Sequence, residues 1–269
     1  MPEGDTVFLA ASRLQRALAG HELLKTDFRV PRIATVDLSG RKVEEVIPRG
    51  KHILARIEGG TTLHTHLKME GSWHLYRPQQ SWRGPDFQVR AVLVTEPWVA
   101  VGFRLGVTEL IPTDREGEVV GHLGPDLLGP DWDPDEVLAR MTKDPARSIG
   151  NVLLDQEVVA GFGNIYKCEL CFLRGILPSA PIDTVGDLEG LLSLGKRMIE
   201  ANRTTGNQIT IGDLRPGRGQ WVYGRGGRPC RRCGTPIRKE DQPGYGGDRV
   251  TYWCPRCQRG PQPEDMPFP

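Results

Sequence analysis

The feature that most constrains this 269-residue chain is the segment "CRRCGTPIRKEDQPGYGGDRVTYWCPRC" near its C-terminal end. Cys230 and Cys233 form one C-x-x-C, Cys254 and Cys257 another, and twenty residues separate the pairs. Two such knuckles suit the closed tetrahedral thiolate shell of one structural zinc ion, and the residues between them can form a β-hairpin. No stretch approaches the roughly 18 consecutive apolar residues of a membrane span. The start also lacks the basic and apolar segments of a secretory signal. A cytoplasmic location is therefore expected, and there cysteines stay reduced, which favours metal over disulfide. The remaining pair, Cys168 and Cys171 in "YKCELC", lies three residues apart in an apolar helical stretch with no further pair to complete four ligands. It reads as core packing.

Net charge is only +1, but its distribution is uneven. From Arg215 to Arg259 eleven arginines and lysines face three acids, Glu240, Asp241 and Asp248, so the cysteine segment is basic and the rest of the chain acidic. A charge run is often no more than a solvated face. Arg249 among Thr251, Tyr252 and Trp253 in the second half of the cysteine segment makes a DNA-facing finger the sharper reading.

Organisation changes near the middle. "DTVFLAASRLQRALAG" spaces Val7, Ala11, Leu14 and Leu18 as one helical face, with Asp5 as the expected N-cap and Gly20 as the stop. "KVEEVI", "HILARI", "TTLHTHL", "FQVRAVLVT" and "WVAVGF" then read as strands of a sandwich or barrel. "GPDLLGPDWDPDE" reads as a connector ending in a helix cap at Asp133 or Asp135. Helices are expected in "EVLARM", "SIGNVLLDQ", "GNIYKCELCFL" and "LEGLLSLGKRMIEAN". Expected boundaries are a β domain over 1–113, a connector over 114–133, a helical domain over 134–220, the finger over 221–260 and a tail over 261–269. In "VVAGFGNIYKCE", Gly161 and Gly163 permit close backbone approach, and the following helix start offers amides to an anion. Asn164 adds a side-chain donor there. A glycine turn between helices more often serves geometry alone.

Taken together, "MPEG", "RGKHIL", "HLKMEGS", "HLGPDLL", "GFGNIYKCE", "WVYGRGGRPCRRCGTPI" and "RVTYWCPRC" resemble the formamidopyrimidine-DNA glycosylase and endonuclease VIII family, in family order along essentially the whole chain. The resemblance implies an α+β multidomain fold. Its parts are an N-terminal β-sandwich flanked by helices, a helical domain with a helix-two-turn-helix, and a four-cysteine zinc finger, with damaged double-stranded DNA bound in the cleft between. It implies a monomeric repair enzyme, nucleoid-associated through DNA, that acts as glycosylase and abasic-site lyase.

By that resemblance Pro2, exposed as a secondary amine once Met1 is removed, is the nucleophile at C1′ of the damaged nucleotide. Glu3 is the acid that protonates the sugar and relays protons. Lys51 contacts phosphate and assists proton transfer, Asn164 clamps phosphate, and Arg249 is the finger arginine that holds phosphates and assists the second elimination. Met69, with Lys68 beside it, matches the side chain that fills the vacancy left by the flipped base. Phe103, with Leu105, stands where one branch of the family wedges an arginine and a phenylalanine against the orphan base, and is expected to contact DNA.

Departures from the pattern point within the family. Thr6 stands where a second glutamate is common, "VGFRLG" carries Phe103 and Leu105 in place of the usual arginine and phenylalanine, and the segment between "RTTG" and "WVYGR" is short. With Gly4, these place the chain nearer the endonuclease VIII branch, which acts mainly on oxidised pyrimidines. Two other classes stay open on sequence alone: a non-catalytic zinc-finger protein that binds abasic or gapped DNA, and an RNA-binding zinc ribbon. Neither uses Pro2, Glu3 and Lys51.

Overall fold

The computed structural model describes residues 2–213, 215, 217–242 and 249–259. The expected tail over 261–269 lies outside them. The chain divides into two compact units, Met1–His122 and Leu123–Pro269. The division falls within the expected connector.

The first unit opens with helix α1 (Gly4–Leu18), whose buried Val7, Ala11, Leu14 and Leu18 form the face anticipated from spacing. Its N-cap is Glu3, two residues earlier than the expected Asp5, because Glu3 already has the extended conformation of a cap and its carbonyl accepts the Val7 N–H at 3.0 Å. At the other end Ala19 closes the helix and Gly20 turns the chain at φ +81°, as glycine does readily.

Eight strands follow: β1 (Lys25–Phe28), β2 (Val43–Arg49), β3 (His52–Ile57), β4 (Thr61–His66), β5 (Ser72–Tyr76), β6 (Val89–Val94), β7 (Val99–Phe103) and β8 (Val107–Pro112). They make two antiparallel four-stranded sheets, in the orders β2-β3-β4-β8 and β1-β6-β7-β5. Period-two alternation sends one set of side chains inward from each sheet. Val46, Ile53, Ile57 and Leu63 of one sheet share a core with Phe28, Leu93 and Ala100 of the other, and α1 packs into the same core. Strands β1, β5 and β8 were not anticipated. β1 is short and polar, β8 is half-exposed throughout, and "SWHLY" has too little alternation to stand out.

Residues 114–122 belong to the sandwich. Glu116, ahead of the single-turn helix α2 (Gly117–Val120), is buried and ion-paired with Arg56 of β3 at 2.7 Å, and accepts the Thr62 hydroxyl at 2.6 Å.

The second unit is built on α3 (Pro134–Met141), α4 (Ile149–Leu154), α5 (Asn164–Arg174) and α6 (Leu188–Asn202). Asp133 caps α3 by accepting from the amides of Asp135 and Glu136, Ser148 caps α4, and Asp187 caps α6. Strands β9 (Arg238–Gln242) and β10 (Arg249–Trp253) pair antiparallel, so the cysteine segment does carry a hairpin. The hairpin is not a separate body: Cys168 and Phe172 of α5 pack in one cluster with Val222, Cys230, Ile237 and Cys254. Among the described residues no helix is long and apolar enough to cross a membrane.

Candidate active site and nucleic-acid interface

In the first unit, Pro2 and Glu3 sit at the N-terminal end of the 15-residue α1, where the unpaired amides and the helix dipole concentrate positive potential. Pro2 is half-buried, whereas Glu3 has no solvent exposure. The helix dipole disfavours a protonated amine at this end and favours an ionised carboxylate.

Lys51 lies on the turn between β2 and β3. Arg49 pairs with His52, leaving Gly50 and Lys51 as a two-residue hairpin turn, and Gly50 takes φ +55°, which such a turn requires. The consequence is a half-buried lysine at a point whose backbone is fixed by both flanking strands. Lys68 and Met69 occupy the turn after β4. Lys68 has φ +52°, a left-handed conformation rare for a side-chain-bearing residue, and Met69 is 63% exposed. The Leu67 carbonyl closes this turn by accepting the Gly71 amide at 2.8 Å. A methionine so placed is available as a plug and takes no part in the core. Lys51 and Lys68 come together around His66: burial, then Lys68 and then Lys51, hold its imidazole down to about 4.

Phe103 is corrected. Its ring is 4% exposed and packs with Tyr76, Val89, Val92, Val99 and Val101 on the sheet face turned away from the main core. Gly84, at φ +140°, passes so close that a Cβ there would meet the ring at 2.8 Å. A ring held in this way has no face to offer a base. The neighbouring Arg104 is the exposed side chain, with φ +47° and an ion pair to Glu70 at 3.5 Å. Leu105 is also buried.

In the second unit, Gly163 caps α5 in an extended conformation and Gly161 takes φ +115°. Gln156 holds this turn from both sides, accepting the Gly161 amide at 3.1 Å and donating to the Phe162 carbonyl at 3.0 Å. Asn164, 5% exposed, donates from Nδ2 to the carbonyl of Val250 at 2.8 Å. The residue expected to clamp phosphate is therefore also tied to the strand that begins at Arg249. Arg249 is exposed and pairs with Gln242 at one end of the β9/β10 ladder, opposite the Trp253/Arg238 end. Two buried groups with no sequence signal hold this arrangement. Lys167 Nζ donates to Thr251 Oγ1 at 2.5 Å, and the Glu169 carboxylate accepts the amides of Trp221, Val222 and Tyr223 at 2.7–2.8 Å.

The sulfur atoms of Cys230, Cys233, Cys254 and Cys257 all lie within 4.8 Å of one another, the one such cluster of potential ligands among the described residues. Cys233 and Cys254 are 3.4 Å apart and Cys230 and Cys257 4.0 Å. Tetrahedral sulfur ligands at about 2.3 Å from zinc are roughly 3.8 Å apart, so the cage has the right size. Cys168 and Cys171 are fully buried in α5 and outside it. Burial, reinforced by Cys168, pushes the Cys171 thiol up to about 12, and the Cys168 sulfur accepts the Tyr252 amide at 3.5 Å.

Three sequence patterns of one family match this chain: the formamidopyrimidine-DNA glycosylase N-terminal domain over residues 1–104, the H2TH domain of the same enzymes over 123–192, and the zinc finger found in FPG and IleRS over 227–260. A Streptomyces coelicolor protein described as a probable endonuclease 8 2 is 54% identical, covering 98% of this chain and 96% of the relative. A Mycolicibacterium smegmatis protein described as DNA-(apurinic or apyrimidinic site) lyase Nei2 is 48% identical, covering 96% and 99%. The fold is similar to that of the Lactococcus lactis formamidopyrimidine-DNA glycosylase solved with DNA containing an abasic site, with a TM-score of 0.79, 24% identity and coverage of 96% and 100%. The chain belongs to the formamidopyrimidine-DNA glycosylase and endonuclease VIII family.

Proposed function

We propose that this protein is a bifunctional DNA glycosylase and abasic-site lyase of base excision repair, working on oxidised bases and foremost on oxidised pyrimidines. The observation that carries the reading is the pairing, at the positive end of α1, of a proline at position 2 with a fully buried glutamate at position 3. Removal of Met1 frees the Pro2 amine. Its lone pair attacks C1′ as the C1′–N bond breaks and the base leaves with that electron pair and is protonated from water; the ionised Glu3 takes the proton shed by the attacking amine and passes it to the ring oxygen, which opens the sugar. The product is an iminium joining Pro2 to the ring-opened sugar. Its positive nitrogen acidifies C2′; Glu3, again a carboxylate, takes the C2′ proton as the electrons of that bond expel the 3′ phosphate, and loss of the C4′ proton in a second elimination expels the 5′ phosphate. Hydrolysis of the iminium returns the amine.

In this reading Lys51 and Arg249 hold phosphates that flank the lesion, and Arg249 also stabilises the departing phosphate of the second elimination. Asn164 adds an amide donor, and Met69, with Lys68 beside it, fills the space left by the flipped nucleotide. Cys230, Cys233, Cys254 and Cys257 hold one zinc ion, whose role is to staple the finger so that Arg249 is presented. The partner is double-stranded DNA carrying oxidised bases or abasic sites, bound by a monomer. Preference for pyrimidines rests on the short segment between "RTTG" and "WVYGR", within which the Thr210 N–H donates to the Gly219 carbonyl at 2.8 Å.

Single-turnover assays test this on matched duplexes carrying an oxidised pyrimidine, 8-oxoguanine opposite cytosine, or a preformed abasic site. The expected product is a one-nucleotide gap with phosphate at both ends, formed faster from the pyrimidine lesion than from 8-oxoguanine. An intact strand after binding would leave only a DNA-binding protein. Faster removal of 8-oxoguanine would reverse the substrate assignment.

A further inference from the structure

The first unit contains a polar network that the proposed reaction leaves unused. The sheet register sets His52 of β3 opposite His66 of β4, and His64 of β4 opposite Glu109 of β8. Glu109 Oε1 is 2.8 Å from His64 Nδ1, and His64 Nε2 is 2.8 Å from His52 Nδ1. Each contact fixes a proton. A carboxylate accepts, so His64 Nδ1 donates; its Nε2 then accepts, so His52 Nδ1 donates and His52 Nε2 keeps its lone pair. His66 is fixed the opposite way, because its Nδ1 accepts the backbone N–H of Lys68 at 2.9 Å and the proton must sit on Nε2. The His52 and His66 rings meet edge to face, 4.8 Å between centroids and 89° between planes.

The far end of this chain is the turn that carries Lys68 and Met69. Lys68 holds its left-handed conformation only if something outweighs the steric cost. The His66 Nδ1 bond to its amide does so. So does the space left by Gly106, where a Cβ would lie 2.2 Å from Lys68 Cγ. We propose that Glu109, His64, His52 and His66 form a relay of fixed tautomers that positions the Lys68–Met69 turn, the element that enters the space of a flipped nucleotide. This rests on the functional reading above. The four are positioning residues, since none of them is assigned a contact with the reacting atoms.

The charged and titratable groups facing the relay are Lys51, Lys68, Arg49, which pairs with His52 in the ladder, and His122. Burial, then His66, His64, His122 and Lys68, hold His52 down to about 3, and His66 is held to about 4. Both imidazoles are therefore neutral at neutral pH. Acidification that protonates His66 Nδ1 removes the acceptor of the Lys68 amide and releases the turn.

Nitrogen-correlated histidine NMR of the full-length protein at neutral pH should show His52 and His64 protonated on Nδ1 and His66 on Nε2. His64→Gln preserves the chain, because its amide can donate to Glu109 and accept from His52; His64→Phe cuts it. Expected for His64→Phe is loss of the fixed His52 tautomer, loss of the fluorescence change of a base analogue placed opposite a stable abasic-site analogue, and binding to that duplex weaker by about tenfold, the scale for a buried donor left without its acceptor. His64→Gln should retain all three. Glu109→Leu, at a half-exposed position, removes the acceptor that fixes the His64 proton, and so frees the His64 and His52 tautomers without touching the core. His52 protonated on Nε2 in the native protein, or cut variants that keep the fluorescence change, would overturn the relay. A native protein with the expected tautomers that forms no borohydride cross-link to abasic DNA would refute the enzyme reading, and the relay would then stand or fall on the tautomers and on acid release of the Lys68 amide.

Discussion

All six histidines lie in the first unit and all six cysteines in the second. The two units therefore position their DNA-facing groups by different chemistry. In the sandwich, Lys51 and Lys68 stand on tight turns between strands, beside half-buried imidazoles that burial and the lysines keep neutral. In the helical unit, Asn164 and Arg249 come from segments far apart in sequence and are joined by a thiolate cage and by buried polar tethers. Turns between paired strands need no ion to hold them. A finger whose segment is too small for a core of its own does. The first unit should thus respond to protons and the second to metal and to thiol chemistry.

The sharpest way to break that contrast is to remove the metal. Cys254→Ser, or a strong chelator, should release zinc and abolish DNA binding by loss of the finger, while circular dichroism and proteolysis show the sandwich intact. Full loss of both units together would mean that the sandwich depends on the finger, contrary to this account.

Next in size is the Glu169 carboxylate, which no solvent reaches and which accepts three consecutive amides. Glu169→Ala should destabilise the second unit by about 3 kcal/mol, since three backbone donors, that of Val222 fully buried, lose a charged acceptor. Denaturant unfolding monitored by Trp221 fluorescence checks this, and a change under 1 kcal/mol, within about the range of a surface substitution, would show that water replaces the carboxylate.

Acid should separate the units in the other direction. His52 and His66 have folded-state values pushed below the ordinary imidazole range, to about 3 and about 4, mainly by burial. The unfolded chain takes up their protons first, so their contribution to stability is complete above the ordinary value of about 6.5 and is lost as pH falls from there toward the folded values. The sandwich should lose stability over that window, and replacing His52 and His66 by Gln should flatten the loss.

The smallest effect is expected at Arg115. Its ion pair with Glu118 is 2.7 Å long, but both side chains are about 60% exposed. Arg115→Ala should shift stability by less than about 0.5 kcal/mol. A larger loss would mean that surface charge contributes more to the sandwich than its buried network does.

Much of this was legible in the sequence, for reasons that differ between residues. The cysteine cage was read from spacing because metal geometry dictates spacing. Helix α1 follows from its apolar period, and the connector narrows the α3 cap to Asp133 or Asp135, of which Asp133 is the one used. Pro2, Glu3 and Lys51 take their roles only from the resemblance, whereas Asn164 beside a glycine turn and Arg249 in a basic, aromatic-flanked segment already stand out as donors and gain from it only their specific roles. Phe103 was misplaced because strand alternation tells that a side chain points to one of two faces, and here the second face is itself covered. The histidine relay was hidden for a different reason. His52, His64, His66 and Glu109 are brought together by the β3-β4-β8 register, which a single sequence does not reveal.

The account depends on a free amine at Pro2. Sodium borohydride added while the correctly processed protein reacts with an abasic duplex should reduce the iminium to a stable amine and leave protein joined to DNA. The α-amino group, ordinarily near 8, is less protonated at neutral pH than a lysine near 10.4, and only an amine can form the adduct. Peptide mapping should place the link at Pro2, and a variant that keeps a residue before Pro2 should form none while still binding DNA. A link at Lys51, or one that persists with Pro2 blocked, would contradict the proposed nucleophile.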